Sequence, residues 1–158
     1  MAKRLAFMSE AFAEAEKGIK ARDGGPFGAV AVRDGKIIGR GHNTVVAGND
    51  PTAHGEVMAI RDACKNVGSF DLSGAALYTT CYPCPMCLGA ILWARIEKVY
   101  YCAAGADAAA AGFDDSFFYD FLNDPEKIKE LTVRDDADIL RSKKLFERYA
   151  ADKEKKLY

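Results

Sequence analysis

The chain has 158 residues, 49% apolar and 28% charged, with a net charge of −1 from 22 basic and 23 acidic side chains. At about 150 residues per domain that is one domain, able to bury roughly two-thirds of its unfolded surface without disulfides. The balance excludes a disordered or collagen-like chain, and the longest apolar run, 99–104, has six residues where a membrane span needs about 20.

Residues 3–21 read as a helix, because Leu5, Met8, Phe12, Ala15 and Ile19 recur at helical spacing. Gly24-Gly25-Pro26 ends it. Two short strands, 28–33 and 36–43, flank Asp34-Gly35, a dipeptide suited to a type I′ hairpin turn. Asn49-Asp50-Pro51-Thr52 breaks the chain and supplies helix-start residues. A second helix is expected over about 54–66 and a strand over 75–80. A third helix fits 84–94, because Pro83 and Pro85 are tolerated only near its start. A strand at 98–103, a short helix at 116–122, a last strand at 131–134 and a last helix at 137–151 complete the order. This alternation predicts an α/β fold, a three-layer α/β/α sandwich around a mixed five-stranded sheet.

Charge is uneven. Residues 103–126 hold six acids and no Lys or Arg, while 137–158 hold seven bases and four acids. Neither pattern is the basic excess of a nucleic-acid protein, so a nucleic-acid partner is not expected. Lys3 and Arg4 are followed by Glu10, Glu14 and Glu16, which is no secretory signal, so a cytoplasmic protein is expected.

The five cysteines are odd in number, which argues against a disulfide framework. Three fall within seven residues, Cys81, Cys84 and Cys87. His54-Gly55-Glu56 and Pro83-Cys84-Pro85-Met86-Cys87 together match H-x-E … P-C-x-x-C, the signature of zinc deaminases. The chemistry fits the spacing. Cys84 and Cys87 are i and i+3 and share one helix face. A helix N-terminus favours the thiolate form that binds metal. One imidazole and two thiolates fill three of four tetrahedral positions, and an open fourth marks a catalytic site. His54 and Glu56 lie about 200° apart around an ideal helix. They converge only if the helix begins close to His54, as Pro51 suggests.

Other readings stand beside this one. A C-x-x-C pair alone is also structural or redox-active. The run Cys81, Cys84, Cys87 opens like a ferredoxin site, but Ala90, Ile91 and Leu92 stand where the fourth cysteine is needed. Cys81 could close a structural zinc site as fourth ligand, making a non-catalytic zinc module, although a packing role suits a strand end better. His42 reads as a surface or satisfied histidine, and Cys64 and Cys102 read as small core side chains. Asp114 and Asp115 could cap the helix near Ser116.

With these residues named, the chain resembles the cytidine/deoxycytidylate deaminase superfamily and, within it, the bacterial guanine deaminases. The likeness covers nearly the whole chain, including residues 24–30, 49–54 and 83–90. The likeness includes 111–117 as well, and within it the Gly112–Phe117 segment, with the terminal Tyr158, points to the guanine enzymes. The resemblance implies zinc on His54, Cys84 and Cys87, one ion per subunit, with Glu56 shuttling the proton. It implies that Asn43 hydrogen-bonds the purine, that Phe27, Trp93 and His54 wall its plane, and that Asp115 accepts from the ring N–H or amino group and passes a proton. The implied reaction is hydrolysis of guanine to xanthine and ammonia, in purine catabolism or salvage. The implied assembly is a homodimer in which about 135–158 is domain-swapped and Tyr158 caps the partner's site. Deamination of guanosine, cytosine or a related aminated ring is the nearest alternative; a tRNA adenosine deaminase would need a basic rim. Two positions depart from the family: Gly55 replaces the usual Ala, and Tyr82 the usual Glu.

Overall fold

The computed structural model describes residues 2–135 and 137–157. Its elements run α1 (Ala2–Ala21), β1 (Gly28–Arg33), β2 (Lys36–His42), α2 (Val45–Gly48), α3 (Gly55–Val67), β3 (Ala76–Cys81), α4 (Pro85–Trp93), β4 (Lys98–Ala103), α5 (Gly105–Ala110), α6 (Ser116–Leu122), α7 (Pro125–Leu131) and α8 (Ile139–Ala151). They form two compact units, one ending at Asp115 and one beginning at Ser116.

The first unit is a mixed four-stranded sheet in the order β2-β1-β3-β4. β1 pairs antiparallel with β2 and β3, and β3 pairs parallel with β4 across the α4 crossover. The hairpin turns where expected: Asp34 and Gly35 have φ of 52° and 73°, the two positive values a type I′ turn requires. Alternation along β1 divides the core in two. Ala29 and Ala31 pack with Ala59, Ala63, Leu77 and Ile91, and Val30 and Val32 pack with Ala11 and Tyr78 on the other side. α1 therefore covers one face and α3 with α4 the other, which makes three layers. The α3 side is close-fitting. A Cβ at Gly39 or Gly41 of β2 would collide with the α3 backbone at Ala59, so glycine lets the helix lie directly on the strand.

The second unit holds α6, α7 and α8. The expected fifth strand at 131–134 does not form. Asp124 caps α7, accepting from the amides of Glu126 at 3.0 Å and Lys127 at 3.4 Å, with Pro125 at the first helical position. This start carries the helix through Leu131. Thr132 is extended, at φ −104° and ψ 116°, but no strand lies beside it among the described residues. No residue of α6, α7 or α8 is buried. No described helix is long and apolar enough to cross a membrane.

Candidate active site

Two helix starts meet at the carboxyl end of β3. His54 is the N-cap of α3, with extended backbone at φ −71° and ψ 155°, and Glu56 is the second helical residue. Asp50 sets up this start: its carboxylate accepts from the Thr52 amide at 2.8 Å and hydroxyl at 2.6 Å, which holds its pKa below the usual value. Cys84 caps α4, Pro85 begins it, and Cys87 follows on its first turn. His54 Nδ1 lies 3.6 Å from both the Cys84 and Cys87 Sγ atoms.

That spacing tests the metal reading. Zinc bonds of about 2.3 Å to sulfur and 2.0–2.1 Å to nitrogen, opened to the tetrahedral angle, place the two ligand atoms about 3.6 Å apart. The three ligand atoms lie within 4.8 Å of one another, so the donor set fits zinc in both kind and spacing. The electrostatics agree. The Cys84 thiol is brought down to about 4, first by the hydrogen bond with Cys87 and then, against burial, by His54. Cys87 is pushed up by Cys84, burial and the Glu56 charge. His54 is raised, chiefly by its hydrogen bond with Cys84. Two thiols and an imidazole thus share protons that a divalent cation displaces.

Glu56 is 5% exposed. Its Oε1 accepts from the Thr79 hydroxyl at 2.8 Å, and its Oε2 lies 3.5 Å from Cys87 Sγ. Burial pushes its pKa up, opposed by hydrogen bonds from its own amide, Thr79 and Cys87. Thr79 comes from the buried run of β3, where nothing in the sequence marks it.

A cavity of about 100 Å³ opens beside these groups, lined by Phe27, Asn43, His54, Glu56, Cys84 and Asp115 among others. Asn43 is 5% exposed. Its backbone N–H donates to the Phe27 carbonyl at 2.9 Å, and its side-chain Oδ1 accepts from the Val45 amide at 3.1 Å. Asp115 is raised above the usual value by burial and then by the Cys84 charge. Phe113 adds an apolar wall, edge-on to Phe27 with ring centroids 5.0 Å apart. Tyr82 also lines the cavity and stands edge-on to Tyr101, with centroids at 5.1 Å.

The sequence therefore names six residues that the fold brings to this cavity, and Cys87 packs behind it. Trp93 is elsewhere: it ends α4, is 66% exposed, and is not in the lining. Tyr158 lies outside the described residues. Cys81 lines the cavity too, but its Sγ points to the Ala104 carbonyl at 3.6 Å, and the metal cluster comprises His54, Cys84 and Cys87. Cys102 is exposed rather than a core residue. Gly55 packs on backbone; a Cβ there would lie 3.0 Å from the Phe27 carbonyl oxygen.

The chain is similar to known proteins. Guanine deaminase of Bacillus subtilis is 56% identical over 119 residues, 75% of this chain and 76% of that protein. A tRNA-specific adenosine deaminase of Agrobacterium fabrum is 41% identical over 143 residues, 89% of this chain and 93% of that one. The X-ray structure of the B. subtilis guanine deaminase covers 94% of this chain and 96% of its own, with a TM-score of 0.86 and 48% identity. A guanine deaminase structure from Nitrosomonas europaea covers 70% of this chain and 64% of its own, with a TM-score of 0.66 and 33% identity. Residues 1–103 match the cytidine and deoxycytidylate deaminase zinc-binding region, and the chain belongs to that deaminase family.

Proposed function

We propose that the protein hydrolyses guanine to xanthine and ammonia. The observation that carries a deaminase reading is the buried Glu56 carboxyl beside the His54–Cys84–Cys87 cluster at the floor of a small apolar cavity. Likeness supports guanine as the substrate. The B. subtilis guanine deaminase structure covers 94% of this chain, against 63% for a tRNA:A34 deaminase structure at a TM-score of 0.60.

Zinc held by His54, Cys84 and Cys87 would supply Lewis acidity that brings a water's pKa toward neutrality. The protein's own groups do the rest. Glu56 takes a proton from the attacking water and gives it to the ring nitrogen next to C2. The C2–O bond forms as that nitrogen gains hydrogen. Glu56 then takes the remaining proton from the new C2 hydroxyl and passes it to the departing amine, directly or through Asp115; C2=O forms as the C–N bond breaks, releasing xanthine and ammonia. Burial suits Glu56 to this, because a raised pKa lies nearer the working pH. Asp115 accepts from the adjacent ring N–H and 2-amino donors, a pair that adenine and cytosine lack. Asn43 has its oxygen engaged by Val45, so Nδ2 is its donor toward a purine acceptor such as O6 or N7. Phe27, Phe113 and Tyr82 exclude water around the ring.

The catalytic form is a homodimer with residues 135–158 exchanged, so that Tyr158 closes the partner subunit's cavity. Support comes from apolar side chains with little cover, among them Leu140 at 71% and Phe146 at 75% exposure. None of the five cysteines is in a disulfide, which suits the reducing cytoplasm proposed here.

The test is ammonia release by the zinc-loaded protein from guanine, guanosine, cytosine, adenine and isocytosine. Fast release from guanine alone is expected. Release from another ring with guanine inert would overturn the substrate and assign the change to the cavity wall, where Tyr82 stands. Glu56→Ala should lose about 10²–10⁴-fold in kcat with zinc content unchanged.

A further inference from the structure

Asn43 is preceded by His42, the last residue of β2, whose side chain is only 12% exposed. The imidazole sits between carboxylates from two segments. Nδ1 lies 3.3 Å from Glu14 Oε2 on α1, and Nε2 lies 2.9 Å from Asp23 Oδ2 in the turn after α1. Both contacts are hydrogen bonds at once only when both nitrogens carry hydrogen. The surrounding charges are engaged as well: Lys17 Nζ is 3.6 Å from Glu14, and Arg40 Nη1 is 2.6 Å from Glu10 and 4.0 Å from Glu14. α1 makes room for the ring at Gly18, where a Cβ would stand 2.7 Å from His42 Cδ2. Glycine is a poor helix-interior residue, and here its missing side chain is what admits the imidazole.

The turn held this way is the wall behind Asn43. A Cβ at Gly24 would collide with Asn43 Oδ1 and lie 2.8 Å from its carbonyl oxygen. The Asp23 carbonyl accepts from the Val46 and Ala47 amides, each at 3.0 Å. It thereby fixes α2, whose first residue, Val45, donates to Asn43 Oδ1. One turn thus grips His42 through the Asp23 carboxylate, α2 through the Asp23 carbonyl, and Asn43 through the close approach of Gly24.

We propose that His42 is a positioning residue for substrate binding: clamped between Glu14 and Asp23, it seats the Asp23–Gly24 turn against Asn43 and so aims the Asn43 amide into the cavity. The inference rests on the reading of Asn43 as the group that binds the base. A residue needed only for folding would lower the active fraction, and with it the apparent kcat. A residue that aims a binding group changes KM.

The experiment is steady-state kinetics of the zinc-loaded full chain on guanine. Asn43→Ala is measured first, and raises KM. His42→Ala should raise KM roughly tenfold, about one hydrogen bond's worth, with kcat within about twofold of the parent. His42→Gln restores most of the KM, because its amide reaches the position of Nε2 and Asp23. His42→Asn reaches only toward Glu14 and does not. Gly18→Ala, which displaces the ring without removing it, raises KM in the parent and adds little in the His42→Ala background. That variant keeps the test in hand if His42→Ala fails to fold. A lowered kcat at unchanged KM in His42→Ala, or full additivity with Gly18→Ala, overturns the proposal and leaves the role of Asn43 standing. An unchanged KM in Asn43→Ala overturns both.

Discussion

Thr79 shows how much one buried side chain settles at this site. Its hydroxyl is the donor to Glu56 Oε1, and both residues are out of solvent. Replacing it by valine keeps the shape and removes the donor, leaving the carboxylate less well solvated. Loss of a hydrogen bond to a charged group costs about 1.5–3 kcal/mol, so Thr79→Val should lower kcat about 10–100-fold with KM and zinc content little changed. Stopped-flow ammonia release and metal analysis on the same sample check it. Asp115 offers a pH test. Burial raises its pKa above the usual 3.8, and only the ionised carboxylate accepts from both guanine donors. As pH falls through that raised value the acceptor is lost, so kcat/KM should fall on the acid side earlier than an ordinary aspartate would cause. Asp115→Asn should remove this limb at the cost of a lower plateau. An acid limb unchanged in Asp115→Asn assigns it to another group.

At the scale of elements, the seat of α3 controls the chemistry, because the helix start carries both His54 and Glu56. That seat is the glycine surface of β2. Gly39→Ala puts a Cβ into the α3 backbone, and overpacking of this kind costs about 1–3 kcal/mol. The expected result is a fall in Tm of roughly 2–4 °C per kcal/mol, with weaker zinc retention, read by calorimetry and by competition with a chelator. Normal zinc affinity in a destabilised variant would separate the seat from the site. The starts of α3 and α4 were legible in the sequence because Pro51, Pro83 and Pro85 mark where helices can begin, and the H-x-E and C-x-x-C spacings need those starts. The Asp34-Gly35 turn was legible because few dipeptides accept two positive φ values. The segment 131–134 misled because its β-rich residues say nothing about whether a neighbouring strand exists, whereas Asp124-Pro125 is a complete local signal for a helix. Thr79 and the Gly18–His42 fit were invisible for the same reason: each depends on a partner far along the chain. Trp93 entered on resemblance alone, and its place at the exposed end of α4 leaves it outside the cavity lining of this chain.

At the scale of the whole molecule, the remaining question is how the second unit covers its apolar side chains. Leu131, Leu140 and Phe146 are each more than 70% exposed, and patches of that kind on a stable fold mark interfaces. If the tail crosses to a partner, the catalytic group and the closing group of one cavity come from different chains. Removing Leu157 and Tyr158 should then raise KM while the protein stays folded and dimeric. Glu56→Ala supplies the complementary defect, since its cavity is dead but its tail is intact. When the two variants are unfolded together and refolded, mixed dimers contain one cavity with a working Glu56 covered by an intact tail. Random pairing of equal amounts makes half the dimers mixed, with one such cavity of two, so at guanine well below the raised KM about a quarter of the parent activity should return. A tail that folds back on its own chain gives no recovery, because every cavity with Glu56 would then lack its own Tyr158. Native mass spectrometry of the same mixture resolves mixed dimers from the two homodimers by mass, so absent activity in a sample shown to contain mixed dimers decides against exchange.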